Sequence, residues 1–315
     1  MLNADVKNFT FTSEHDGLEI HAAIAVPSSN INGIVQIVHG MYDYKERYLP
    51  FMDYLADEGF ITVIHDNRGH GKSVCSDEDL GFLYKDGADG FVSDIRQLTK
   101  IVKEAYPSVP YFMLGHGMGS LGVRAYLKQF DSELDGVFIL GCPCYRKLSR
   151  FTINVDKAIM KKMGSHFRSE KINTILQNKF NKPFGRDNKN AWLCSDKKVI
   201  AEFNNDSRCN FIFTLNGYSS LLYLLSDTYN KSGWKVENPQ LPIRFLSGKN
   251  DSAMLTEKKF NRAVELMQKV GYDNVSHRLF EGMRHELLNE RDKMTVYKDI
   301  AKTLYSWIDR MNQEM

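Results

Sequence analysis

The stretch Tyr111-Phe112-Met113-Leu114-Gly115-His116-Gly117-Met118-Gly119-Ser120-Leu121-Gly122 decides how this chain is read. Tyr111–Leu114 is a short apolar run of strand type, and Met118–Phe130 has helical periodicity, so a strand enters a helix through one glycine-rich corner. Two chemistries use such a corner. Gly117-x-Gly119-x-x-Gly122 fits the G-x-G-x-x-G pattern, in which a pyrophosphate rests on the helix N-terminus. That fingerprint also wants an acid about 20 positions on, at the end of the next strand. Here Val137–Leu140 ends in Gly141-Cys142-Pro143-Cys144, and Asp135 lies before the strand. A dinucleotide-binding protein is therefore the weaker alternative. The other frame is small-x-nucleophile-x-small, the tight elbow that lifts a nucleophile above a sheet. Gly115 and Gly119 fill its small positions, but Gly117 stands where a serine is expected. Ser120 does not substitute, because centring the frame there puts Met118 at a small position.

Outward from the corner, strand and helix alternate. Lys7–Thr12 and Leu18–Val26 form a hairpin around His15-Asp16-Gly17. Strand signals follow at Gly33–Val38, Phe60–His65, Gly136–Leu140, Ile243–Ser247 and Ser276–Leu279. Helical spacing marks Arg47–Gly59, Gly90–Ala105, Glu257–Val270 and Met294–Met311. Continuous apolar strands separated by helices predict an α/β fold with a mostly parallel sheet covered on both faces. Residues 146–235 interrupt the alternation, with apolar positions at helical spacing such as Ile159, Met160 and Met163, then Ile172, Ile175 and Leu176. They are expected to be an inserted helical cap over the carboxyl ends of the strands, where open α/β sheets bind ligands. Residues 1–145 and 236–315 make the core.

Composition narrows the classes. The 315 residues are 43% hydrophobic, enough for a sizeable core, and 41 basic against 39 acidic residues give a formal charge of +2. Such a balance leaves no footprint for nucleic acid. No apolar run is long enough to span a membrane, and Met1 to Thr12 has no apolar signal region. Five scattered cysteines (Cys75, Cys142, Cys144, Cys194, Cys209) read as a reduced, cytoplasmic chain, with Cys142 and Cys144 as small residues beneath the cap. His39, His65, His70 and His116 lack metal-ligand spacing and read as structural, so no metal and no cofactor is expected.

Signposts along the whole chain carry a resemblance. His39-Gly40-Met41 with Arg47-Tyr48, Asp66-Asn67-Arg68-Gly69-His70-Gly71-Lys72-Ser73, Gly115-His116-Gly117-Met118-Gly119, Ser247-Gly248-Lys249-Asn250-Asp251 and Glu281-Gly282-Met283-Arg284-His285-Glu286 occur in order. The chain resembles the α/β-hydrolase superfamily, and within it the monoacylglycerol lipase and lysophospholipase-like group of serine aminopeptidase S33 type. The resemblance implies an α/β-hydrolase fold and ester hydrolysis through an acyl-enzyme. It implies His285 as base, Asp251 as its anchor, and backbone N–H groups of Met41 and Met118 as the oxyanion hole.

The residues agree on roles, since acyl transfer needs a nucleophile, a base and a carboxylate that fixes the base's tautomer. Asp251 also suits a simple helix N-cap, and His285 a loop histidine bonded to backbone. The cap aromatics and methionines, among them Phe151, Met160, Trp192 and Phe213, are expected to line the place for an acyl chain. The partner implied is a small acyl ester or lipid-like molecule, and near-zero charge with an apolar cap permits transient contact with lipid surfaces. Two readings of Gly117 stay open. One is an inactivated form of an enzyme that carries serine there; the other is a natural non-catalytic protein that binds acyl ligands.

Overall fold

The computed structural model describes residues 4–28, 30–144, 159–185 and 188–314. Its centre is one eight-stranded sheet in the order β1-β2-β4-β3-β5-β6-β7-β8. β1 (Asp5–Thr12) and β2 (Glu19–Val26) form an antiparallel hairpin, and β2 runs antiparallel to β4 (Phe60–His65). All other pairs are parallel: β3 (Gly33–Val38), β5 (Tyr111–His116), β6 (Gly136–Leu140), β7 (Ile243–Gly248) and β8 (Val275–Phe280). Every residue of β3, β4, β5 and β6 is buried, as expected of strands covered on both faces.

Alternate side chains feed two cores. Ile34 and Val38 of β3, with Met113, Val137 and Ile139, pack under α2 (Gly87–Ala105), α3 (Met118–Phe130) and α7 (Glu257–Val270) through Phe91, Ile95, Leu121 and Phe260. Val35 and Ile37, with Phe112, Leu114 and Phe138, pack on the opposite face under α1 (Leu49–Asp57) and α8 (Lys293–Glu314) through Phe51, Leu55, Ile300 and Trp307. Each such side chain, fully buried, contributes roughly 1.5–3 kcal/mol. The one amide inside β3, Gln36, is satisfied. It donates to the Ile95 carbonyl at 2.9 Å and accepts from Thr99 Oγ1 and Tyr111 Oη.

Between β6 and β7 the described chain contains α4 (Glu170–Asn181), α5 (Lys197–Asn205) and α6 (Leu215–Thr228). Ser169, Asp196 and Thr214 start them, each accepting a hydrogen bond from a first-turn amide. α6 packs against α2 and α3. The helical spacing in this segment misleads in part: Ile159, Met163 and Ile175 are exposed, while Ile172 and Leu176 pack on the core.

Two helix starts also differ from the sequence expectation. The helix expected from Arg47 is a 3-10 turn at Lys45–Tyr48 followed by α1, because Pro50 belongs in a first turn. α2 begins at Gly87, three residues early, after Asp86 takes a left-handed conformation. Among the described residues no helix is long and apolar enough to cross a membrane.

Candidate active site

β5 ends at His116 and α3 starts at Met118, so Gly117 alone turns the chain. Its backbone lies at φ 55° and ψ −116°, a region where a residue with a Cβ is strained. The flanking glycines are there for close approach. A Cβ on Gly119 would stand 2.1 Å from the Val38 carbonyl oxygen, and one on Gly115 2.7 Å from the Gly119 carbonyl oxygen. The turn is tied down by the Gly117 amide, which donates to Leu140 O at 3.0 Å. Ser120 Oγ donates to Gly117 O at 2.6 Å, so that hydroxyl is committed to the backbone.

Two further strand ends bring their side chains to this corner. Asp251 follows β7 and His285 follows β8, the neighbouring parallel strand. The Asp251 carboxylate accepts from the Ala253 amide at 2.7 Å and from Ser247 Oγ at 3.2 Å, and faces His285 Nδ1 at 3.0 and 3.1 Å. The N-cap role and the contact with His285 therefore coexist. An ionised carboxylate can only accept, so Nδ1 carries the proton and Nε2 of the neutral ring presents a lone pair. A Cβ on Gly117 would lie 3.0 Å from that Nε2 and 3.6 Å from Gly40 Cα. Burial pulls the His285 pKa down, but the Asp251 charge and hydrogen bond, with Glu286 and Asp43, outweigh it and leave the pKa raised.

Two neighbours pack on the ring. A Cβ on Gly141 would lie 3.1 Å from its Cε1 and Nδ1, and Trp192 packs against it with ring centroids 4.8 Å apart. The amides of Met41 and Met118 donate to no other group among the described residues; Met118 follows Gly117 directly, and Met41 follows Gly40, whose Cα a Cβ on Gly117 would approach to 3.6 Å.

Beneath the ring lies a chain of buried polar groups. His116 Nε2 bonds the His285 carbonyl at 3.2 Å, and His116 Nδ1 meets Tyr48 Oη at 2.9 Å. Tyr48 Oη donates to Asp43. Arg47 bridges Asp43 at 2.9 Å and Glu286 at 2.6 Å, so a guanidinium with two carboxylates braces the loop that carries His285. Burial raises the Glu286 pKa, but Arg47 overrides it and holds the carboxyl below its ordinary value. His39, His65 and His70 are wholly buried, and burial depresses each to about 3.

The expected cap residues are placed unequally. Trp192 touches His285 and stacks on Phe180 at 4.6 Å, and its indole Nε1 finds no hydrogen-bond partner among the described residues. Phe213 is fully buried, edge-on to Tyr42 at 5.0 Å, next to the Met41 loop. Met160 lines a shallow crevice with Phe82, Tyr84 and Asn216. Phe151 lies outside the described residues. A cavity of about 210 Å³ adjoins Tyr42, lined by Asn173, Gln177, Phe203 and Phe211. Among the described residues no group of three or more histidine, cysteine or acidic side chains is arranged to hold a metal ion.

The hydrolase family profile described as "Serine aminopeptidase, S33" matches residues 29–292. The chain belongs to this family. It is 23% identical over 303 residues to the monoacylglycerol lipase of Mycolicibacterium smegmatis, covering 94% of this chain and 96% of that one. It is 24% identical over 268 residues to phospholipase YtpA of Bacillus subtilis, covering 84% and 92%. The crystal structure of a thermostable carboxyl esterase from Bacillus coagulans superposes with a TM-score of 0.88 at 24% identity, covering 96% of this chain and 99% of that one. Fold and family together make the protein an α/β hydrolase.

Sequence reasoning gave no role to Arg47, Tyr48, His116 or Glu286 as the brace under His285. The available signal was local: Asp43 and Arg47 stand four apart, and Glu286 follows His285 directly.

Proposed function

We propose that this chain carries the machinery of a carboxylic-ester hydrolase of lipase or esterase type, and that glycine at position 117 withholds its nucleophile. The observation that supports this is the alignment of Asp251, His285 and the Gly117 corner. A side chain grown from Gly117 would meet the basic nitrogen of an imidazole whose other nitrogen is anchored to a buried carboxylate. With serine there, His285 Nε2 takes the hydroxyl proton while Oγ attacks the ester carbonyl. The tetrahedral oxyanion is held by the N–H groups of Met41 and Met118, donors typically worth ~2.7–4 kcal/mol each. Collapse expels the alcohol, which takes the proton from His285, and water repeats the sequence on the acyl-enzyme.

As written, the chain keeps the base, its anchor and the oxyanion donors, and so binds an acyl ester or its products without forming the covalent intermediate. The substrate class is a small or lipid-like acyl ester, in keeping with the names of its relatives. Residues 146–235 serve as the cap, with Trp192 over the base and Phe213 beside the Met41 loop. The cavity next to Tyr42 would receive part of the ligand.

The test is Gly117→Ser, assayed against p-nitrophenyl esters of graded chain length and labelled with a fluorophosphonate. Labelling and turnover should appear together and vanish again in Gly117→Ser with His285→Ala. A serine chain that folds yet is neither labelled nor active would refute the proposal.

A further inference from the structure

Apart from this site, one guanidinium among the described residues is fully buried without a carboxylate partner. Arg124, on α3, has no exposed surface. Its Nη1 donates to Cys142 Sγ at 3.4 Å, and its Nη2 to the Thr228 carbonyl at 3.2 Å. Its Cζ lies 4.4 Å from the centre of the Tyr229 ring, and its Nε has no partner among the described residues. A cation taken out of water with no counter-charge is strongly disfavoured. The group placed to supply that charge is the thiol of Cys142.

Cys142 is fully buried just past the end of β6. Tyr229 Oη, which donates to the Pro143 carbonyl at 3.0 Å, lies 3.8 Å from its sulfur. Cys144 is two residues on in the same loop, with its Sγ 3.6 Å from the Cys142 carbonyl oxygen. Contact with Cys144, and the charge of Arg124, outweigh burial and draw the Cys142 thiol down to about 6, whereas Cys144 is driven up. Two other buried thiols behave in the ordinary way: burial raises Cys194 to about 12 and raises Cys209 as well.

We propose that Cys142 is a thiolate paired with Arg124, and that it forms with Cys144 a modification site for a small, uncharged hydroperoxide. Thiolates are the reactive form of cysteine. With Cys142 at 0% and Cys144 at 6% exposure, the oxidant that fits is water-sized and neutral rather than a bulky disulfide. In the first step the Cys142 thiolate attacks one peroxide oxygen and the O–O bond breaks. The sulfur loses two electrons and becomes a sulfenic acid, and the peroxide, with one added proton, leaves as water or an alcohol. In the second step the Cys144 sulfur attacks that of Cys142, an S–S bond forms, the S–O bond breaks, and water departs with the thiol proton. Arg124 then loses its counter-charge. The Cys144 amide donates to the Ala253 carbonyl at 3.0 Å, and the Ala253 amide holds Asp251, so the oxidised loop pulls on the turn that carries the anchor of His285.

The test uses the full chain as it stands, treated with hydrogen peroxide, blocked with an alkylating agent and digested. The peptide holding Cys142 and Cys144 should lose two hydrogens before Cys194 or Cys209 is oxidised. Cys144→Ser should stop at a dimedone-reactive sulfenic acid on Cys142. Arg124→Met should slow oxidation of Cys142 by at least about tenfold while leaving exposed Cys75 unchanged. Oxidation of Cys142 no faster than that of Cys194 and Cys209, or a rate indifferent to Arg124→Met, overturns the proposal. If Arg124→Met does not fold, the ultraviolet absorbance of the thiolate decides. The parent chain should exceed Cys142→Ser by one thiolate near neutral pH, and equal absorbance refutes the pairing.

Discussion

Putting a side chain on residue 117 should cost stability, and the cost can be worked out. The backbone at φ 55° and ψ −116° is open to glycine but strained for any residue with a Cβ, by of order 1–3 kcal/mol. The Cβ would also press on His285 Nε2 at 3.0 Å, so the imidazole must give by a few tenths of an ångström. Against this, a stiffer unfolded chain returns roughly 0.4–1 kcal/mol. The net loss for Gly117→Ala is about 1–2 kcal/mol. At roughly 2.1 cal/mol/K of unfolding entropy per residue, this is a fall in Tm of about 1.5–3 °C. Gly117→Ser pays the same strain but gains a hydrogen bond to Nε2 worth about 0.5–1.5 kcal/mol, and should melt between the other two. Differential scanning calorimetry of the three chains at one pH is the assay. An alanine chain that melts clearly above the glycine chain would show that the elbow holds no strain, and the reasoning would be wrong.

Other outcomes follow from the same geometry. Asp251→Asn removes the charge that raises the His285 pKa, so the imidazole midpoint followed by proton NMR should move down; an unmoved midpoint would place the cause elsewhere. His39, His65 and His70 are held near 3 in the folded chain but titrate near 6.5 when unfolded. The unfolded state therefore binds more protons across that window: stability is full above pH 6.5 and is lost as pH falls towards 3. Between pH 7.5 and 5 each imidazole should remove about 2 kcal/mol, read as a falling urea midpoint that His65→Phe makes less steep. Gly119→Ala forces a Cβ to 2.1 Å from the Val38 carbonyl oxygen, and should cost more than about 3 kcal/mol or prevent soluble expression.

What the sequence revealed, it revealed locally. The apolar run 111–114, the small residues at 115 and 119 and the helical spacing after 118 are all neighbours in the chain, and they suffice to specify a strand, a tight corner and a helix. Asp251 and His285 were legible from the local signposts Ser247–Asp251 and Glu281–Glu286, each residue in a loop after a strand, although β8 itself is largely exposed. The brace between Arg47 and Glu286 joins residues 239 apart, and no periodicity encodes that. The contact of Trp192 with His285 was out of reach too, because Trp192 sits in a turn between α4 and α5, where no periodicity reports what a side chain meets. Exposed Ile159, Met163 and Ile175 make the point from the other side.

The pairing of β6 with β7 constrains how far the intervening segment can be remodelled. Leu140 lies beside Leu246 on parallel neighbours, so a chain leaving the carboxyl end of one strand must travel back the length of the sheet before it can enter the other. α6, lying on α2 and α3, packs along that return path. The intervening segment could be trimmed or exchanged piecemeal by a protein engineer, but deletion down to a short hairpin is topologically forbidden. Any graft must bring its own homeward crossover, long enough to span the strand.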